Sequence, residues 1–179
     1  MNDHRALLVI DMQRGFLEEE YPLYCGEVAR AIIPVVHARI EAALSDGTPV
    51  FFTADAHAPD DREFALFPPH CIRGTEEAQI VPELSDYLSK VPRIDTTTYS
   101  GFFETDLHTR LQTVEVTELE LVGVCTDICV LHTAIDAYHR GYGLEVIADG
   151  VASFDEQAHA FALRHMKTIL GARITEAVR

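Results

Sequence analysis

The sequence predicts an α/β fold, with three layers α/β/α and a mainly parallel central sheet. Short apolar runs alternate along the chain with longer segments of helical periodicity, and that rhythm requires parallel strands joined by crossover helices. The first apolar run lacks the in-out alternation of a half-exposed strand, as expected for one buried on both faces. A length of 179 residues supplies the core of one such domain and not of two. The whole of 1–179 is therefore read as a single domain.

The elements follow in order. Residues 5–10 (RALLVI) form the first, central strand. Residues 28–44 are apolar mostly at helical spacing, with Asp46-Gly47 as the stop. Pro34 belongs near that helix's first turn or marks a kink. PVFFTAD at 49–55 is the second strand. The Pro- and charge-rich stretch from Ala56 to Pro82 is too long for a casual connection, and such loops build sites. A further strand lies at 86–90 or at 91–96. Then come a helix at 105–113, a strand at 118–124, and a helix at 126–140 closed by Gly141. A strand at 144–148, a helix at 155–170 and a last strand around Ile174 complete the pattern. Ligands of such sheets bind at the carboxyl ends of the strands.

Composition narrows the function classes. Lys and Arg total 14 against 29 Asp and Glu, a net charge of −15, which argues against nucleic acid and anionic membranes as partners. No run approaches the roughly 20 apolar residues that cross a bilayer. The opening MNDHRALLVIDMQ lacks the marks of a secretory leader. The four cysteines then read as reduced thiols of a cytoplasmic protein.

Chemistry-bearing residues fall at the strand ends. In Val122-Gly-Val-Cys-Thr-Asp-Ile-Cys129 a buried strand runs into a helix start. A thiol in a first helical turn lies near the positive end of the dipole and near unpaired N–H groups, which favours thiolate. The same N–H groups can hold an oxyanion. Taken alone, a cysteine such as Cys129 is more often a small buried hydrophobe, and Cys125, at the strand end, keeps most of that reading. The Cys-x3-Cys spacing matches neither a zinc knuckle nor a redox pair. Asp11 ends the first strand directly after apolar residues and fits two roles, a base for a nearby thiol or the cap of the next turn. Asp55-Ala-His57 ends the second strand, with Glu63 and His70 in the long loop. Two imidazoles and two carboxylates suit a borderline divalent ion such as zinc, manganese or iron(II). Solvated loop residues are the plain alternative, the reading adopted for His4, His37, His108, His139, His159 and His165.

Four segments in order, Val9-Ile-Asp-Met-Gln-Arg-Gly-Phe16, Phe52-Thr-Ala-Asp-Ala-His57, Tyr99-Ser-Gly-Phe102 and Gly123-Val-Cys-Thr-Asp-Ile-Cys-Val130, together carry a family resemblance. Over roughly 5–175 the chain resembles the isochorismatase-like cysteine hydrolases, and most closely their nicotinamidase/pyrazinamidase branch. The resemblance implies that fold, with Asp11 as catalytic base and Cys129 as nucleophile. It implies an oxyanion hole made by the backbone N–H groups of Cys125 and Cys129, with a cis peptide at Val124–Cys125. It also implies one divalent metal ion per chain, zinc foremost, on Asp55, His57 and His70 with Glu63 participating. Phe16, Phe67 and Tyr99 match positions that wall the substrate ring.

The resemblance further implies a catalytic lysine beside the aspartate, and there the sequence departs from the pattern. Three residues before Tyr99, where one subgroup has the lysine, stands Thr96. Nine before it, where other members have it, stands Lys90. If the strand is 86–90, Lys90 is catalytic; if it is 91–96, the site has Thr96 or borrows Arg93. The implied reaction is hydrolysis of a small aromatic carboxamide, nicotinamide first, through a cysteine thioester, in a protein expected to form homo-oligomers. The rival readings are another small-amide hydrolase, a non-catalytic ligand-binding member lacking the lysine, and a redox sensor built on Cys125 and Cys129.

Overall fold

The computed structural model describes residues 4–177, so the ends of the expected 1–179 domain, residues 1–3 and 178–179, lie outside the described residues. Six parallel strands form one sheet in the order β3-β2-β1-β4-β5-β6. They are β1 (Arg5–Ile10), β2 (Val50–Asp55), β3 (Arg93–Thr96), β4 (Glu118–Val124), β5 (Gly143–Ala152) and β6 (Arg173–Thr175). The helices are α1 (Arg14–Leu17), α2 (Glu27–Arg30), α3 (Ile33–Asp46), α4 (Pro82–Ser85), α5 (Leu107–Thr113), α6 (Leu131–His139) and α7 (Glu156–Ile169).

The side chains of β1 explain the three layers. Leu7 and Val9 point to one face, where Ile33, Val36 and Ile40 of α3 cover them. Ala6, Leu8 and Ile10 point to the other, against Leu107 and Leu111 of α5, Ala134 of α6 and Met166 of α7. Both faces are apolar because both are buried, which is why the strand shows no alternation. Among the described residues no helix is long and apolar enough to cross a membrane.

The chain lays β2 and β3 on one side of β1, then returns to place β4, β5 and β6 on the other. The strand order therefore reverses between β1 and β4, and a crevice opens at their carboxyl ends. The two strands approach closely there. Gly123, at φ 119°, pairs with Ile10, and a Cβ on it would stand 2.0 Å from the Ile10 carbonyl oxygen. Only glycine fits that position.

Several boundaries differ from the sequence reading: the strand expected at 144–148 runs on to Ala152, the helix expected at 105–113 begins at Leu107, and two helices change more. The helix expected over 28–44 is two pieces, α2 and α3, with Pro34 in the first turn of α3, where its missing N–H is harmless. The helix expected over 126–140 opens as a π-type turn, Thr126–Val130, before α6 begins. Of the two alternatives for the third strand, Arg93–Thr96 is the one observed. Residues 86–89 form a 3-10 turn instead.

Candidate active site

The crevice gathers the carboxyl ends of β1, β2 and β4. Asp11, the first residue after β1, is 2% exposed and holds a positive φ of 51°. Thr53 on β2 donates its hydroxyl to Asp11 Oδ1 at 2.9 Å. Across the gap the Asp11 carboxyl faces the Cys129 thiol, which the π-type turn after β4 presents. The Val124–Cys125 peptide that leads into this turn is cis.

Burial pushes the Asp11 carboxyl up to about 8, and the nearby Asp55 charge adds to the rise. Hydrogen bonds with Cys129 and Thr53 and the charge of His57 pull the other way without reversing it. Burial likewise pushes the Cys129 thiol well above its ordinary value, and the charges of Asp11 and Asp55 push it further. This corrects the expectation of a thiolate favoured by a helix start. The turn around Cys129 is not yet α-helix, and enclosure beside two carboxylates outweighs what local dipoles offer. The resting pair is thus a thiol beside a carboxyl that resists ionisation.

A second cluster adjoins the first. Asp55 at the end of β2, His57 and His70 are all buried, and each has a ligand-type atom within 4.8 Å of the others'. Asp55 Oδ2 stands 3.5 Å from His57 Nε2 and 3.8 Å from His70 Nε2, and Glu63 Oε1 stands 3.7 Å from His70 Nε2. These gaps exceed hydrogen bonds and suit donors arranged around a common centre about 2.0–2.2 Å from each. His57 is wholly buried, yet neither ring nitrogen has a hydrogen-bond partner, although Asp61 Oδ2 lies 3.1 Å from Nδ1 without being aligned to it. A buried imidazole with both nitrogens orphaned is costly unless something else takes a lone pair. The donor set therefore fits a divalent metal ion.

The surroundings hold these donors in place. His70 Nδ1 is fixed by the Pro68 carbonyl at 2.9 Å, which leaves Nε2 facing the cluster. Burial pushes His70 below its ordinary value, which favours the neutral form that a ligand needs. Burial, with the Asp55 charge, raises Glu63 to about 7. For His57, burial opposes protonation, but the neighbouring Asp55 carboxylate and then Asp61 overcome it and raise the imidazole to about 9, so a metal ion taken up here would displace that proton. Gln13 clamps the Asp55 backbone on both sides, donating to its carbonyl at 2.8 Å and accepting from its N–H at 2.7 Å. Thr96, level with Asp55 across the β2–β3 ladder, donates to Asp55 Oδ1 at 3.1 Å.

Phe16, Phe67 and Tyr99 line the narrow cleft that leads to Cys129, Asp55, Glu63 and His70. Leu23, Ile128 and Phe154 complete its wall and were not foreseen. Gln13, Thr53 and Asp61 were also missed. Gln13 had a signal, its place two residues after Asp11, whereas Thr53 and Asp61 look like ordinary strand and loop residues. A larger hollow of about 410 Å³ lies elsewhere, lined by Arg5, Arg39 and Glu120 among others, but its charges pair with one another and it holds no nucleophile.

Lys90 does not join the site. It follows the 3-10 turn Asp86–Ser89, is exposed, and borders Pro49, Val50 and Phe51 at the amino ends of the strands, the far edge of the sheet from Asp11. The expectation that Lys90 is catalytic is corrected by this strand boundary. The only other lysine in the chain is Lys167, on α7. Arg93 is not borrowed either, because it pairs with Asp95 at 2.7 Å. Among the described residues no lysine or arginine makes an ion pair with Asp11, and hydroxyl groups of Thr53 and Thr96 serve its neighbourhood instead.

Comparison with known proteins gives a consistent picture. The family model described as Isochorismatase domain matches residues 5–177. The crystal structure of a nicotinamidase from Bacillus subtilis superposes with a TM-score of 0.93 at 40% identity, covering 97% of this chain and 99% of that one. A pyrazinamidase of Pyrococcus horikoshii, solved in complex with zinc, gives a TM-score of 0.87 at 30% identity over 97% of this chain and 99% of its own. A probable inactive nicotinamidase of Arabidopsis thaliana is 34% identical over 92% of this chain and 88% of its own length.

Proposed function

The chain belongs to the isochorismatase family, and within that family we propose that it hydrolyses a small aromatic carboxamide, with nicotinamide the leading substrate, through a cysteine thioester. The observation that carries this reading is the meeting of Asp11 and Cys129 at the strand reversal, at the foot of an aromatic-walled cleft. The relatives named as nicotinamidases and the superposition on one of them support the substrate class.

In this mechanism Asp11 accepts the Cys129 proton as the sulfur attacks the amide carbonyl. The backbone N–H groups of Cys125 and Cys129 receive the oxyanion. Asp11 then gives its proton to the departing ammonia and takes one from the water that opens the thioester. Release of the acid returns that proton to the sulfur. Desolvation works in favour of this shuttle, because a carboxyl raised towards neutrality is a better proton acceptor and a ready donor. Phe16, Phe67 and Tyr99 orient the ring by packing. Asp55, His57 and His70 would hold a divalent ion, zinc first, with Glu63 close by; when bound it supplies a Lewis-acid anchor for a heteroaromatic ring nitrogen.

One observation favours a second reading. With Thr96 in the place of a lysine, no lysine or arginine among the described residues pairs with Asp11, and one similar chain, from Arabidopsis, is named a probable inactive nicotinamidase. That reading is a ligand-binding member with little or no hydrolysis. Ammonia release from nicotinamide by zinc-loaded protein, with Cys129→Ala as control, decides between them. Release that depends on Cys129 supports the hydrolase. Binding of nicotinamide without ammonia supports the second reading.

A further inference from the structure

The mechanism above uses one thiol, and two others meet elsewhere on the same cleft. Cys25 lies in the loop between α1 and α2, and Cys125 follows β4, 100 positions later. Their sulfurs are 3.3 Å apart and share a hydrogen bond. Cys71 makes no such pair, its sulfur facing the Glu77 carbonyl at 3.8 Å. The Cys129 thiol is turned to Asp11. A redox couple of Cys125 with Cys129, one alternative in the sequence reading, therefore gives way to Cys125 with Cys25. Both residues are buried, but Cys125 borders the cleft, and so does Leu23, two residues before Cys25. Cys125, 5% exposed, is thus the member of the pair that a small molecule entering the cleft meets.

We propose that Cys25 and Cys125 form a redox pair, closed to a disulfide by a hydroperoxide that enters the cleft. With hydrogen peroxide the Cys125 sulfur attacks one peroxide oxygen. An S–O bond forms and the O–O bond breaks, so Cys125 is oxidised by two electrons to a sulfenic acid. The oxygen that leaves takes the thiol proton and departs as water. The Cys25 sulfur then attacks the Cys125 sulfur, the S–S bond forms and the S–O bond breaks. Hydroxide leaves with the Cys25 proton as a second water. Two thiols and one peroxide thus give one disulfide and two waters. The hydrogen bond from Cys25, and then burial, hold the Cys125 thiol well above its ordinary value, so the reaction accelerates as pH rises. The link would tie the cleft wall that carries Leu23 to the end of β4.

The test uses the full chain. Cys125 and Cys129 share one tryptic peptide, so Cys129→Ala is examined beside the wild type. Both proteins, reduced and freed of reductant, are treated with hydrogen peroxide in mildly alkaline buffer. Remaining thiols are alkylated in denaturant, and the unreduced digest is read by mass spectrometry. The expected result in both is the Cys25 peptide joined to the Cys125 peptide, separated by dithiothreitol, with Cys71 alkylated. The linked protein should melt on the order of 10 °C higher, a gain that dithiothreitol and Cys25→Ala both remove. Recovery of Cys25 and Cys125 as separate alkylated peptides from treated Cys129→Ala overturns the proposal. A Cys125–Cys129 link in the wild type overturns it too.

Discussion

Asp11 and Cys129 form a pair in which the carboxylate charge makes the thiol harder to ionise, while the thiol eases the ionisation of Asp11 that burial opposes. Removing either should abolish hydrolysis. Cys129→Ala and Asp11→Asn are expected to lose ammonia release by at least about 10³-fold with unchanged circular dichroism, as for other mutually dependent catalytic groups. Near-normal turnover in either variant would exclude the thioester route. Cys125→Ala should keep most activity, since only its backbone N–H is used. The raised Asp11 carboxyl also sets the pH dependence. Only its ionised form accepts the thiol proton, so kcat/KM should rise with pH along a limb displaced from the carboxylate range towards about 8. A profile already flat at about pH 5 would show an unperturbed base. The missing cation gives a gain-of-function test. In Thr96→Lys an ammonium at the end of β3 would favour ionised Asp11, so activity should increase and the acid limb move down in pH. Lys90→Ala, at the far edge of the sheet, should change stability by no more than about 0.5 kcal/mol and leave kcat unaltered.

Strand ends and the loop after β2 decide where the donors stand, and they also decide what could be read in advance. The apolar runs of β1, β2 and β4 were legible because central parallel strands have one composition along their length, and Asp11, Asp55 and Cys125 follow as the residues at or just after their ends. The role of residue 90 was not legible, since it hung on whether residues 86–90 or 91–96 pair with β2. That choice is made by register with Phe52–Asp55, a contact far away in sequence. The state of Cys129 was misjudged for a similar reason. The helix-start argument is local, whereas burial beside Asp11 and Asp55 comes from two other strands. The Cys25–Cys125 meeting, across 100 positions, has no sequence signature at all. The loop donors are testable as a set. The wild type should carry about one divalent ion per chain, and the His57→Ala, His70→Ala double variant none by elemental analysis. Undiminished metal in that variant would remove the ion from this cluster.

At the scale of the whole molecule the two ends of the sheet are built differently. The carboxyl ends concentrate buried acidic groups that no lysine or arginine neutralises among the described residues, whereas the opposite end is stitched by paired charges. There Arg39 of α3 grips Glu120 of β4 with two hydrogen bonds of 2.6 Å, and Arg5 of β1 reaches Glu145 of β5 at 3.2 Å. Arg173 of β6 closes the row on Glu145 at 2.8 Å. Strands β1, β4, β5 and β6 are thereby joined across the sheet, and the site end is left free to hold its unsatisfied groups. Glu120 is the member to probe, because its side chain is 3% exposed and it cannot turn to water if its partner goes. Arg39→Ala leaves that carboxylate with Arg5 alone, 3.7 Å away. Breaking a buried pair costs about 3–5 kcal/mol, and the remaining contact should hold the loss near the lower figure, read as a reduced denaturant midpoint. The double variant Arg39→Met, Glu120→Leu should recover much of that loss, since it removes the stranded charge as well as its partner. If Arg39→Ala unfolds at the wild-type midpoint, the row is a surface decoration, and the sheet must owe its rigidity to the two apolar faces alone.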